Sequence, residues 1–168
     1  MPERKTIERA RQDKREGKAP TTQAGEFVRE EIEHVREGKH GARSAAQAIA
    51  IGLSKARRAG VELPPPKAGE ASEKTRRSAK RALEAGEERP GAKPAPKRSR
   101  AIKTALEHEG KAAASKPALA RQAKSAAKER SAGERSAAAR KAARTKGPEE
   151  RSQAAQKGAR TRARNKAA

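Results

Sequence analysis

Basic side chains in the C-terminal part of the chain have the types and spacing that suit phosphate neutralisation. The chain has 168 residues, with 43 Lys and Arg against 21 Asp and Glu, and a net charge of +22. A net charge of about 2–8 already keeps a small domain soluble, so this excess indicates a polyanionic partner. Lys and Arg displace the counterions condensed on duplex DNA, whatever its base sequence. The candidate contacts belong to the densest cationic clusters: Lys97, Arg98, Arg100, Arg140, Lys141, Arg144, Lys157, Arg160, Arg162 and Arg164.

A second set of candidate contacts, Lys55, Arg57 and Arg58, lies near the end of a predicted helix. That helix could act as the recognition helix of a degenerate helix-turn-helix. Its outer face is not rich in the Asn, Arg and Gln side chains that read base edges, and its one amide, Gln47, is assigned to a capping box. We therefore favour largely sequence-independent binding to duplex DNA by the C-terminal cations.

Residues that could support catalysis or metal binding are few. Glu30, Glu31 and Glu33 resemble paired carboxylates, but an exposed acidic helix face explains them without acid–base chemistry. His34 and His40 have no third ligand at a recurring metal spacing, so we interpret them as solvated histidines. The chain has no cysteine, which excludes a thiol nucleophile and any Cys-containing zinc site. We expect a protein that is not an enzyme, with no metal, cofactor or small-molecule substrate.

The large apolar residues indicate where the chain can fold. Nine of the fifteen Leu, Ile, Val, Phe and Met residues lie between residues 21 and 63. Their helical spacing predicts a hairpin of two helices, 22–37 and 44–59, in a domain of residues 21–63. Gly38 is expected as a left-handed helix end, and Ser44 as an N-cap. This hairpin is small for independent folding, and we expect that it can form a homodimer.

The other segments are predicted from composition. Residues 1–20 form a basic segment expected to be helical. Residues 64–98 read as a linker interrupted by Pro and Gly, with a short helix over 72–85. Residues 99–168 are expected to form a cationic low-complexity arm with transient helices. Only 14 of the 168 residues of the chain are Leu, Ile, Val or Phe, which is well below the share of about 20% under which a chain is expected to be disordered. The predicted fold class is therefore all-α, a short helix hairpin followed by a largely disordered, partly helical Lys/Arg/Ala-rich arm.

One internal repeat lies in this arm. Residues 134–145 return as residues 150–161 with nine of twelve positions identical. Neither copy has an apolar stripe, so the repeat is not a solenoid unit that buries a shared core. A cationic unit repeated along a regular polyanion is the better interpretation.

The start of the chain and its apolar runs bear on localisation. Charged residues occupy the N-terminus where a signal peptide has an apolar region. The longest apolar run, residues 48–53, is far shorter than the roughly 20 residues that span a bilayer. We therefore expect a cytoplasmic protein without a membrane partner.

The residue strings Thr22–Ser44 and Gln47–Val61 resemble a family of small basic bacterial proteins of unknown function, whose members are often labelled DNA-binding or plasmid-stabilisation proteins. The resemblance covers about residues 1–66 and implies a bacterial cytosolic setting. The arm is similar in composition to the Ala/Lys-rich tails of histone H1-like bacterial proteins. Together with the charge, these resemblances favour a nucleoid-associated, histone-like DNA-binding protein.

Two alternatives stay open. The alanine content and hydrophilicity also fit a stress-protective protein of the late-embryogenesis type, although such proteins usually balance Lys with Glu. A ribosome- or RNA-associated basic protein is the other alternative.

Overall fold

The computed structural model describes residues 2–90, 95–145 and 147–167, and across them the chain is all-helical. No strand occurs within these ranges; residues 68 and 71 form one isolated bridge. The elements are α1 (Arg4–Arg15), α2 (Pro20–Glu37), α3 (Ala45–Arg58), α4 (Glu73–Glu88), α5 (Pro96–Glu107), a 3₁₀ turn (Ala112–Ala114), α6 (Lys116–Glu129), α7 (Ala132–Thr145) and α8 (Pro148–Ala167).

The prediction of a largely disordered arm is wrong, because α5 to α8 cover most of residues 96–167. Local signals explain the difference. Alanine has the highest intrinsic helix propensity, and the interruptions between helices supply caps. At the start of α7, Ser131 Oγ accepts the Glu134 N–H while Glu134 Oε2 accepts the Ser131 N–H, which is a complete capping box. In α8, acidic residues occupy the first turn and basic residues the last, as the helix dipole favours.

The helices α2 and α3 form the predicted hairpin at the centre of the first unit. Gly38 ends α2 with φ +79°, and the side chain of Ser44 caps α3 by accepting the Gln47 N–H. At Gly52 of α3, an added Cβ would lie 2.7 Å from the Cα of Val28. The small residue therefore lets the two helix backbones approach closely, on the face of α3 that also carries the buried Ala48 and Ala56 at four-residue spacing.

Other elements cover this hairpin and complete its core. Phe27 is 1% exposed and shares one apolar cluster with Ala10 of α1 and with Leu63. Val35 belongs to a second cluster, with Ala114 of the 3₁₀ turn. The core therefore draws on residues well outside the predicted hairpin domain.

Helix α4 packs against α3, although its residues fall within the predicted linker. Its small residues Ala79, Ala82 and Gly86 are buried. An added Cβ at Gly86 would lie 1.9 Å from the carbonyl oxygen of Arg57, so the two backbones are in direct contact there. The segment is thus a packed part of the first compact unit, which extends to Gln122.

The second compact unit begins at Ala123 and contains the end of α6, together with α7 and α8. No described side chain in it is buried, and residues 123–168 contain no Leu, Ile, Val, Phe or Met. Its helices therefore depend on propensity and capping. In neither unit is any described helix long and apolar enough to cross a membrane.

Candidate functional sites

Helix α8 presents a dense group of candidate phosphate contacts. The side chains of Lys157, Arg160, Arg162 and Arg164 are all exposed. At about 100° per residue, Lys157, Arg160 and Arg164 fall within roughly 60° of one another, while Arg162 lies on another side with Arg151. Within the described part of the chain, these cations form no ion pair with a carboxylate. The helix is therefore cationic on more than one side.

Helix α7 carries a second group in a related arrangement. Arg140, Lys141 and Arg144 are exposed and lie within roughly 100° on the helix surface. The internal repeat places Lys141 and Arg144 at the positions that Lys157 and Arg160 occupy in α8. Both copies of the repeat are helical, so each presents a Lys–Arg pair three residues apart.

The remaining arm candidates belong to α5, in the first unit. Lys97 and Arg100 are exposed, and the side chain of Arg98 lies outside the described residues. The structure thus divides the predicted contacts between the units: those on α5 belong to the first, and those on α7 and α8 to the second.

The candidate contacts at the end of α3 are mostly engaged within the protein. Arg57 is 6% exposed and donates hydrogen bonds to the carbonyl oxygens of Leu63 and Pro64, at 3.0 Å each. Burial lowers the pKa of its guanidinium. Lys55 Nζ lies 2.5 Å from the carboxylate of Glu31. Only Arg58 is exposed, so the structure does not present these three cations as one surface.

The acidic face predicted on α2 is partly buried, which corrects the sequence interpretation. Glu30 is 3% exposed and Glu31 is fully buried. The side chains of His34 and His40, interpreted as solvated, are only 12% and 15% exposed. These residues form a polar cluster rather than an outer surface.

Three members of this polar cluster lie close together: Glu31, His34 and His40. One ligand-type atom from each lies within 4.8 Å of the others. Glu31 Oε1 lies 3.4 Å from His40 Nε2 but has no hydrogen-bond partner among the described residues. The other carboxylate oxygen, Oε2, faces Lys55. The imidazole rings of His34 and His40 stand nearly perpendicular, with centroids 6.2 Å apart.

The N-terminal segment before α1 closes over the same cluster. The Glu3 N–H donates to both carboxylate oxygens of Glu30, at 3.3 and 3.2 Å. The Glu3 carboxylate lies 3.1 Å from His34 Nε2 and 3.3 Å from Lys39 Nζ. Its hydrogen bonds with His34 and Lys39 lower the pKa of Glu3. The cluster is thus held by residues from α2, the following turn and the chain start.

The assignment of Glu31 to an exposed helix face is wrong, although the sequence carries a signal for its burial. Glu31 lies four residues after Phe27 and four before Val35, inside the arc of α2 that carries the apolar stripe. A carboxylate within such a stripe is expected to be buried and to need partners. Lys55 and His40, the residues that face it, come from separate elements, so the helix pattern alone does not identify them.

Comparison with known proteins and protein families finds a match for only part of the chain. No curated protein matches the sequence, and no solved structure matches it. Residues 4–67, which contain α1 to α3 and the Glu31, His34 and His40 cluster, match the sequence profile of an uncharacterised family, the family of unknown function DUF6496.

Proposed function

We propose that the chain is a non-enzymatic, largely sequence-independent DNA-binding protein of nucleoid-associated, histone-like type, which acts by phosphate neutralisation. The exposed cations of α7 and α8 are its main contacts. This proposal rests on one observation above all: the second unit buries no described side chain and displays its cations on extended helices.

The dimensions of α8 suit a polyanionic partner. A helix of 20 residues is about 30 Å long, and duplex DNA carries one charge per roughly 1.7 Å of its axis. Several cations on such a rod can approach phosphates together. Alanine and other short side chains separate the cations of α8. The helix therefore presents few bulky side chains that would keep these cations away from the DNA phosphates.

The scarcity of aromatic residues favours duplex over single-stranded nucleic acid as the partner. Proteins that bind single strands stack bases on exposed aromatic rings. The chain contains no Trp or Tyr and a single Phe, and that residue, Phe27, is 1% exposed in the core. Contacts with the phosphate backbone therefore fit better than base stacking.

The test is a comparison of two triple variants in the full chain. Replacing Arg160, Arg162 and Arg164 with Ala removes three cations from α8 while keeping a strong helix former. Replacing Arg4, Arg11 and Arg15 with Ala removes three exposed cations from α1 and is the charge-matched control. Binding to a duplex of mixed sequence is measured by fluorescence anisotropy between 50 and 200 mM salt.

We expect the wild type to lose orders of magnitude in affinity over that salt range if about 6–10 phosphates are contacted. The α8 variant should bind more weakly and have a smaller salt slope, by about 0.9 for each phosphate that it no longer neutralises, while the α1 variant should stay close to wild type. Equal losses of affinity in both variants would contradict a defined DNA-binding surface. Absence of duplex binding at 50 mM salt, or a preference for single-stranded RNA, would overturn the proposal.

A further inference from the structure

We infer that Glu31, His34 and His40 form a binding site for a divalent transition-metal ion, with Zn²⁺ as the best match. Two imidazoles and one carboxylate are a donor set that suits zinc, whereas Mg²⁺ and Ca²⁺ prefer oxygen ligands alone. Three protein ligands leave a fourth position for water. The inference concerns the first unit and does not depend on DNA binding.

The sequence brings the three side chains together through one helix and its end. Glu31 and His34 are three residues apart on α2, so they lie on neighbouring positions of one face. Gly38, with φ +79°, turns the chain at the end of α2, and His40 follows in that turn. Its ring nitrogen Nε2 then lies 3.4 Å from Glu31 Oε1.

The buried carboxylate carries the argument for a bound cation. Glu31 is fully buried, and its Oε1 has no hydrogen-bond partner among the described residues. A buried unpaired carboxylate oxygen is costly, because burial removes its hydration without replacement. Lys55 satisfies only the opposite oxygen. A positive charge beside Oε1 would remove this cost.

The hydrogen bonds of the two histidines favour a metal ion as that charge. His40 Nδ1 lies 3.0 Å from the carbonyl oxygen of Gly41, which can only accept, so Nδ1 carries the hydrogen, and in the neutral imidazole Nε2 then carries the lone pair. In that form two acceptors, His40 Nε2 and Glu31 Oε1, face each other at 3.4 Å, and a metal ion between them would accept a lone pair from each. His34 is held by the Glu3 carboxylate at 3.1 Å. A contact from a carbonyl oxygen to the second ring nitrogen, as His40 has with Gly41, orients metal-ligating histidines in proteins.

The position of the cluster allows an ion to reach it. His34 and His40 keep 12% and 15% of their side chains exposed. His40 also lines a small open cleft between the turn after α2 and residues Glu107, Glu109 and Lys111. Solvent therefore reaches at least one ligand directly.

The experiment uses the full chain, stripped with a chelator and then titrated with ZnCl₂ by calorimetry. We expect one equivalent to bind, and binding to raise the melting temperature. MgCl₂ at the same concentration should do neither. His40→Gln should weaken zinc binding by about tenfold or more, since one of the three ligands is removed. The matched control is His108→Gln, which replaces the third histidine of the chain, an exposed residue of the first unit, and should bind zinc like the wild type.

A second measurement keeps the inference testable if the ligand variant fails to fold. The chain has three histidines, so the wild-type imidazole NMR spectrum is simple. On addition of one equivalent of Zn²⁺, the signals of His34 and His40 should shift while that of His108 stays in place. No binding by the folded wild type, equal weakening of zinc binding in both variants, or a shift of all three histidines would overturn the site. In the first of these cases, a proton shared between His40 and Glu31 would account for the cluster.

Discussion

The two compact units of the chain hold their helices by different means. In residues 2–122, apolar side chains such as Phe27 and Val35 are buried between helices, and small residues bring backbones into contact. In residues 123–167, no described side chain is buried, and caps and alanine support the helices. The comparison shows that a scarcity of large apolar residues limits tertiary packing without preventing helix formation.

The same difference separates the two proposed activities. A preorganised polar cluster needs a packed scaffold, because its side chains must be held in place and kept from water. Glu31 has that environment in the first unit. Phosphate neutralisation instead needs exposed cations, which the second unit provides along α7 and α8. The two proposed activities therefore depend on different structural features, a packed scaffold in the first unit and exposed cations on helices in the second.

The largest expected effect of a single substitution is at the core of the first unit. Phe27→Ala should destabilise this unit by about 3–5 kcal/mol, because it removes a buried aromatic side chain and leaves a cavity. Native-state hydrogen exchange of the α2 and α3 amides measures the change. Ile102→Ala is the control, since Ile102 is 54% exposed and its replacement should cost no more than about 0.5 kcal/mol. Similar exchange in both variants would contradict a core centred on Phe27.

A smaller effect tests whether α4 belongs to the first unit. Gly86→Ala places a Cβ where the carbonyl oxygen of Arg57 would be 1.9 Å away, so a backbone must shift. We expect a loss of about 1–3 kcal/mol in stability, even though alanine is the better helix former. The readout is the urea concentration needed to expose the α3 amides to exchange. An unchanged or higher concentration would mean that α4 does not press on α3 at this point.

The sequence predicts the parts of the fold that depend on local signals and on apolar spacing. The last turn of α2 and the first turn of α3 follow from Gly38 and Ser44, which the sequence predicts as a left-handed helix end and an N-cap. The low count of large apolar residues predicts a disordered arm, whereas alanine propensity and capping support its helices. Residues such as Ala82 and Ala114 form no apolar stripe in the sequence, although both are buried in the first unit.

The two candidate sites differ in how much of each can be predicted from the sequence. The cations of α7 and α8 are recognisable from composition, because their proposed role needs only charge and exposure. The metal cluster depends on burial of Glu31 and on His40 folding back beyond Gly38, and neither follows from spacing alone. Sites that require tertiary contacts are therefore the ones that sequence reasoning passed over.

The smallest expected effect comes from a glycine-to-alanine substitution in the second unit, which should stabilise its helix where the substitution at Gly86 destabilises the first unit. Gly158→Ala in α8 introduces a Cβ whose nearest neighbour is the flexible end of the Arg162 side chain, at 3.7 Å. With no backbone to displace, the gain in helix propensity, about 0.8–1.0 kcal/mol, should appear as slower amide exchange in α8. Exchange that stays the same or becomes faster would contradict a helix that runs through residue 158. Opposite signs at Gly86 and Gly158 would establish that packing determines stability in the first unit and propensity in the second.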